Sequence, residues 1–290
     1  MDEKDWLFLQ ALHEEKNVTR AAQKLFISQP ALTYRIKQME EQLDIQIFIR
    51  GRRNIKFTSE GEHLALYAKR MVIELQKLKD KLQDSKHDVR GELRLGVSSN
   101  FADQMLPDLL KKFNDIYPQI KFNVHTAWSV DVFKRLCNEE DHIGIIRGNY
   151  DWESSKILMG VNEVCLVSKK HINLIDLPTL PRIRHQSGPD TTKITDQWWN
   201  ENFSTPPYIS MEVDNLETCK KMVMKGLGYG ILPNYSLSEI ENPDEIFIYP
   251  LTVEGQPVLR KLWAFYREDD TKLSAVKAFV DFLNQHYAIK

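Results

Sequence analysis

The segment Thr19-Arg20-Ala21-Ala22-Gln23-Lys24-Leu25-Phe26-Ile27-Ser28-Gln29-Pro30-Ala31-Leu32-Thr33-Tyr34-Arg35 decides the fold of the amino-terminal end. Thr19 is a capping residue before a short helix over 20–25, and Ala21 and Ala22 leave room for another helix to approach closely. Ser28 is a second cap, and Pro30 falls in a first helical turn, where its missing N–H had no intrahelical partner. The helix opening at about residue 29 runs through Ala31, Leu32, Ile36, Met39 and Leu43. A short helix, a tight turn and a second helix whose amino end carries Gln29, Thr33, Tyr34 and Arg35 make a helix-turn-helix, with side chains suited to base edges and phosphates in a major groove.

Upstream, Trp6, Phe8, Leu9 and Leu12 follow helical spacing behind the acidic turn Asp2-Glu3. Downstream, residues 45–50 alternate as a strand, and Arg50-Gly51-Arg52-Arg53-Asn54 turns into 55–58, a hairpin wing with a basic tip. Residues 17–58 carry eight Lys/Arg against three acids, whereas 91–290 carry 22 against 27. The net charge of −2 over 290 residues therefore hides a basic front module ahead of a mildly acidic remainder, as expected if one end meets nucleic acid. The plainer alternatives are a solvated charged face, or a three-helix domain that binds protein.

From Gly61 to Lys86 there is no proline and no later glycine. Leu64, Ala68, Met71, Leu75, Leu78, Leu82 and Ser85 alternate spacings of four and three, a heptad seam suited to pairing two copies. An amphipathic helix packed on its own core shows a similar stripe. Pairing is the favoured reading, because two winged units at fixed spacing recognise paired half-sites.

The remaining two hundred residues alternate strands and helices. Strand 89–97 ends at Ser98-Ser99-Asn100; a helix with Met105, Leu109, Leu110, Phe113 and Ile116 on one face follows, then strand 120–125, helix 130–136 and strand 142–147. A second set comprises strands 164–167, 182–185, 208–213 and 229–232 with helices 192–200 and 216–225, before a returning strand 262–266 and a last helix 273–287. The fold class is α/β behind an all-α-type winged helix-turn-helix, with binding crevices at the carboxyl ends of strands. The domains read as 1–58, winged helix-turn-helix; 59–88, linker and dimerisation helix; and 89–290, an effector-binding clamshell. Its lobe I spans about 89–162 and 266–290, and its lobe II about 163–265.

Composition and motifs exclude several classes. With 42% hydrophobic and 28% charged residues the chain is an ordinary globular protein, and its polar start and lack of long apolar runs predict a cytoplasmic protein with no membrane partner. Cys137, Cys165 and Cys219 form no C-x-x-C pair, and the eight histidines form no H-E-x-x-H, so neither a disulfide scaffold nor a metal site is expected. Gly226-Leu227-Gly228-Tyr229-Gly230 has the wrong spacing for a dinucleotide loop and reads as a helix stop. No G-x-S-x-G, P-loop or motif-placed Cys–His pair is present, so no catalytic residue and no cofactor is expected. The rivals are a solute-binding module or an enzyme without a DNA role, and redox sensing at Cys219, which has no nearby resolving partner in its helix.

Four segments together resemble the LysR-type bacterial transcription regulators: Ala21-Ala22, Ser28-Gln29-Pro30-Ala31-Leu32, Ile47-Phe48-Ile49-Arg50 and Thr58-Ser59-Glu60-Gly61. Thr33 stands where the family usually has Ser, keeping the hydroxyl, and Ser59 where it often has Pro. The resemblance extends over the whole chain. It implies a winged helix-turn-helix on double-stranded promoter DNA, a linker-helix homodimer assembling into a homotetramer, a periplasmic-binding-protein-like effector domain, and RNA polymerase as a further candidate partner. The DNA-binding candidates are Thr19, Ser28, Gln29, Pro30, Thr33, Tyr34, Arg35, Arg50, Arg52 and Arg53.

In the clamshell, Ser98, Ser99 and Asn100 lie at one helix amino end, Trp128 and Ser129 at another, and Gln186, Ser187 and Thr192 near a third, where free N–H groups favour an anion. Arg147 and Arg260 add two guanidinium forks suited to carboxylates. Ile146-Arg147-Gly148-Asn149, Gln197-Trp198-Trp199, the segment 213–220 and the segment 228–233 look like the citrate-responsive branch of the family, which controls tricarboxylic-acid-cycle genes. That resemblance implies citrate contacts at Ser99, Arg147 and Arg260.

Overall fold

The computed structural model describes residues 1–51, 54–84, 89–237 and 246–287. The chain divides into two compact units, Met1–Asp84 and Ser85–Lys290.

The first unit contains α1 (Glu3–Glu15), α2 (Val18–Lys24), α3 (Gln29–Leu43), β1 (Phe48–Arg50), β2 (Ile55–Phe57) and α4 (Ser59–Gln83). A capping box opens α1: the Asp2 carboxylate accepts from the Asp5 N–H, and the Asp5 carboxylate accepts from the Asp2 N–H at 2.8 Å. Asn17, not Thr19, caps α2, because its Oδ1 reaches the Arg20 N–H at 3.0 Å and starts the helix two residues earlier; Thr19 lies exposed in the first turn. Ser28 caps α3 as expected, accepting from the Ala31 N–H. At the other end Asp44 adopts a left-handed conformation, φ 52°, and the Ile47 N–H donates to the Glu40 carboxylate at 2.8 Å. That turn holds residues 45–47 out of the ladder. The wing therefore has three-residue strands, with Phe48 opposite Phe57, rather than a six-residue first strand.

Leu9, Leu12, Ala21, Ala22, Leu32, Ile36, Met39 and Ile47 form the core of this unit, and α4 adds Ala65 and Ala68 to it, with Leu64 packed alongside. The helix expected as a separate linker thus belongs to the first unit. Its His13–Glu62 contact at 2.6 Å and Glu3–Lys79 ion pair at 2.7 Å tie it to α1. Gly61 makes the closest approach: a Cβ there would lie 1.9 Å from the Ile47 carbonyl oxygen.

The second unit contains β3 (Gly91–Ser98), α5 (Ser99–Gln104), α6 (Leu106–Ile116), β4 (Ile120–Ala127), α7 (Ser129–Cys137), β5 (Ile143–Arg147), β6 (Ser155–Ser168), β7 (Arg182–His185), α8 (Pro189–Asn202), β8 (Ile209–Val213), α9 (Leu216–Met224), β9 (Gly230–Pro233), β10 (Phe247–Pro250), β11 (Thr252–Val253), β12 (Gln256–Pro257), β13 (Leu259–Tyr266) and α10 (Ser274–Tyr287). One seven-stranded sheet runs β10-β6-β13-β5-β3-β4, with β9 also on β6; β7 and β8 pair in parallel apart from it, and β11–β12 is a small hairpin. The two crossing strands are β6 and β13. β13 pairs with β5 over 262–266 and with β6 along its length, with a register shift at Leu262/Trp263, while the carboxyl half of β6 pairs with β9 and β10.

Two expectations change here. The helix expected with Met105 and Ile116 on its buried face is α6, separated from the short α5 before it because Met105 ends α5 and Pro107 opens α6; Met105 and Ile116 themselves are exposed. The strand expected at 164–167 is the tail of the longer β6, whose buried second half made only that part look apolar. Packing fixes both lobes. Phe113 of α6 meets Phe279 of α10 edge-on at 4.8 Å in the first lobe, and Trp198, Trp199, Tyr229 and Leu166 centre the second. Each such buried side chain contributes roughly 1.5–3 kcal/mol.

Candidate functional site

In the first unit, Ser28, Gln29, Pro30 and Tyr34 are exposed at the amino end of α3, Tyr34 at 66%, and Thr33 is half-buried. Gln29 donates to the Thr33 hydroxyl at 3.1 Å, and Gln38 donates to the Tyr34 hydroxyl at 3.0 Å, so the polar edge is ordered as a row. Lys56 of the wing is exposed; Arg52, Arg53 and the side chain of Arg50 lie outside the described residues.

The charge excess of this segment is partly cancelled. Arg35, expected on a phosphate, donates from Nε and Nη2 to the Asp5 carboxylate at 2.6 and 3.0 Å, from Nη2 to Asp2, and from Nη1 to Gln38. Its fork is committed to the fully buried Asp5. Lys24 pairs with Glu14 at 2.7 Å, and Arg20 donates to the Glu15 carbonyl. These acids lie in α1, before the window in which the charges were counted, and reach it only through the fold.

In the second unit, Ser98 at the end of β3, Ser99 and Asn100 just after it, Trp128 and Ser129 at the start of α7, Arg147 at the end of β5, and Ser187 and Arg260 line one cavity of about 120 Å³. Gln186 and Thr192 line an adjoining cavity instead. Arg260 lies inside β13 rather than before the crossing strand, as expected from sequence. It donates to the Thr191 hydroxyl. Arg147 is 4% exposed, its guanidinium carbon sits 3.9 Å over the Tyr235 ring, and Ser129 Oγ accepts from its backbone N–H. Its Nε and Nη2, together with Ser98 Oγ, are buried without a hydrogen-bond partner among the described residues.

Burial, reinforced by the facing Arg260, lowers the pKa of Arg147; burial lowers that of Arg260 too, against Tyr235, Asp190 and Tyr150. Burial pushes the Tyr150 hydroxyl, which bonds with Ser129 and Asp190, up to about 12. It also depresses His185, with Arg182 adding to it, to about 4, which keeps the imidazole neutral near pH 7. Gly148, at φ +122°, leaves space for the Asp190 carboxylate, which would lie 2.6 Å from an added Cβ. The cavity therefore holds two cations against one carboxylate, with hydroxyls between them. Tyr150, His185, Asp190, Thr191 and Tyr235 were not among the expected residues.

Residues 4–62 match the family described as bacterial regulatory helix-turn-helix protein, lysR family, and residues 86–288 match the LysR substrate binding domain. The chain belongs to the LysR family. It is 43% identical over 283 residues, covering 98% of this chain and 97% of the other, to the uncharacterised HTH-type transcriptional regulator YraN of Bacillus subtilis. It is 27% identical, covering 96% and 95%, to the HTH-type transcriptional regulator CysL of the same organism. Among solved structures it is similar to full-length CbnR in complex with its target DNA, at TM-score 0.67, 19% identity and coverage of 99% and 100%. It is similar also to the Vibrio cholerae virulence activator AphB, at TM-score 0.66, 17% identity and coverage of 99% and 100%. This LysR-family chain is thus a DNA-binding transcription regulator with an effector-binding domain, and not an enzyme. No helix among the described residues is long and apolar enough to cross a membrane.

Proposed function

We propose that this regulator binds operator DNA as a homodimer or homotetramer, and that a small carboxylate anion, citrate foremost, enters the cleft and resets its DNA binding. Gln29, Thr33 and Tyr34 read the groove, while Lys56 and the wing arginines Arg50, Arg52 and Arg53 take phosphates. The exposed ends of the α4 seam, Leu78 and Leu82, supply the pairing surface. The effector acts by linkage: it binds one arrangement of the oligomer more tightly and shifts its population, altering the contact offered to DNA and to RNA polymerase.

One observation carries the effector reading: Arg147 Nε and Nη2 and Ser98 Oγ are buried and unpartnered in one cavity. Such groups each cost about 1–3 kcal/mol when left unmade, and a carboxylate satisfies the guanidinium edge in bidentate fashion. Arg260, Ser99 and Ser129 stand ready for a second carboxylate and a hydroxyl, and Asp190 accepts from a hydroxyl, which favours a hydroxy-acid over a plain diacid. Calorimetry on the full-length protein with citrate, isocitrate and succinate tests this; no heat with any of them removes it. A gel shift on the protein's own upstream DNA, repeated over a salt series, tests the other half. Gln29→Ala should relax sequence preference, whereas Lys56→Ala should lower affinity evenly and flatten the salt slope by about one.

A further inference from the structure

A second cavity of the effector unit, about 530 Å³, adjoins the first across a shared wall of Trp128, His185, Ser187 and Thr191. Arg147 and Arg260 do not line it; Arg182 does. Arg182 opens β7 and is 6% exposed. Its guanidinium lies over the Trp199 ring at 5.7 Å, its Nε is buried without a hydrogen-bond partner, and the side chain makes no hydrogen bond or salt bridge among the described residues. The neighbouring Arg184 is different, being paired with Glu212. Asp196 of α8 lines the same cavity and acts on Arg182 through space without closing an ion pair.

A buried guanidinium without hydrogen bonds is a costly feature that a folded chain keeps where something else completes it. Stacking on an indole occupies a face of the guanidinium and leaves free its N–H edge, the one that grips a carboxylate with two parallel bonds. A phosphate dianion would meet the Asp196 carboxylate and be repelled. A single carboxylate with a hydrogen-bond donor beside it would not.

We propose that this cavity is a second ligand site, taking an α-hydroxy or α-amino carboxylate, with Arg182 holding the carboxylate and Asp196 accepting from the adjacent hydroxyl or ammonium. The site does not need a ligand in the first cleft to hold its own, since its anchoring residues, Arg182 and Asp196, do not line that cleft. The shared wall means that the regulator integrates two small molecules, the occupant of one cavity bearing on the side chains that shape the other.

Calorimetry on the full-length protein with L-lactate, L-alanine and inorganic phosphate, in wild type and in an Arg147→Gln/Arg260→Gln variant that disables the first cleft, tests the proposal. The expected result is that at least one of the two carboxylates binds the cleft-disabled protein, that Arg182→Gln weakens this binding by about tenfold or more in both backgrounds, and that phosphate binds more weakly than that carboxylate. Asp196→Asn should narrow the preference over phosphate. Should Arg182→Gln fail to fold, Arg182→Lys keeps the charge without the fork and should still lose several-fold in affinity. Unchanged affinity in a folded Arg182 variant, silence of both carboxylates in the cleft-disabled protein, or phosphate binding more tightly than both would overturn it.

Discussion

Replacing Arg147 by methionine should make the empty effector unit more stable and unable to respond. The side chain places Nε and Nη2 in the interior without partners, at about 1–3 kcal/mol each, and the Tyr235 stacking returns about 2 kcal/mol. Methionine fills much of the same volume without those demands, so the variant gains up to about 4 kcal/mol. A unit of this size moves its midpoint by about 2–4 °C per kcal/mol, giving a rise of up to about 15 °C. The same change removes two charge-assisted bonds to a bound carboxylate, about 1.5–3 kcal/mol each, which is roughly 10²- to 10⁴-fold in affinity. Thermal unfolding with and without citrate reads both effects. Without ligand the variant melts higher; with saturating citrate wild type gains stability by mass action and the variant stays where it was. A variant that melts lower than wild type in plain buffer, or that citrate stabilises as strongly, would refute the assignment of Arg147 as the ligand grip.

Gly61→Ala should unfold the amino-terminal unit, since its Cβ would fall 1.9 Å from a backbone oxygen; a cooperative near-native melt of that unit would contradict the packing of α4 on the wing. Leu78→Glu with Leu82→Glu, both exposed at 51% and 76%, should convert the oligomer to monomer in sedimentation while leaving the first unit's melt unchanged. His185 sets a pH window. Its folded pKa of about 4 lies below its ordinary value of 6.5, so the native state resists protonation and stability falls as pH drops from about 6.5 towards 4, by at most about 3 kcal/mol. His185→Gln should flatten that limb of a pH–stability profile, and an unchanged limb would place the titration elsewhere.

Local chemistry was readable before any coordinates. Ser28 before Pro30 fixed the start of α3, and the 3.6-residue recurrence of Leu32, Ile36 and Met39 fixed its buried face. Elsewhere the cap was misplaced: Thr19 is a capping residue type, but the side chain that reaches the third amide is that of Asn17, and it sets the helix start. The seam on α4 is ambiguous at larger scale. Leu64 and Ala68 meet the unit's own core, while Leu78 and Leu82 remain open, and one heptad pattern describes both. The cleft was half legible. Ser98, Ser99 and Arg147 stand at strand ends, where crevices form, but Tyr235 and Asp190 reach the cavity from segments nearly ninety and more than forty residues beyond Arg147, and nothing local marks them. Arg35 shows what no local reading supplies. A cation near a recognition helix invites a phosphate, and only the fold brings Asp5 against it.

The burial of Ala65 and Ala68 against Leu9 and Leu12 has a practical corollary for anyone excising the reading head. A truncation near residue 58 would strip the lid from that interior, and the fragment would clump or melt before it met any operator. A cut at about residue 84 keeps the lid, and with it the grip by which two heads could be yoked on one stretch of duplex.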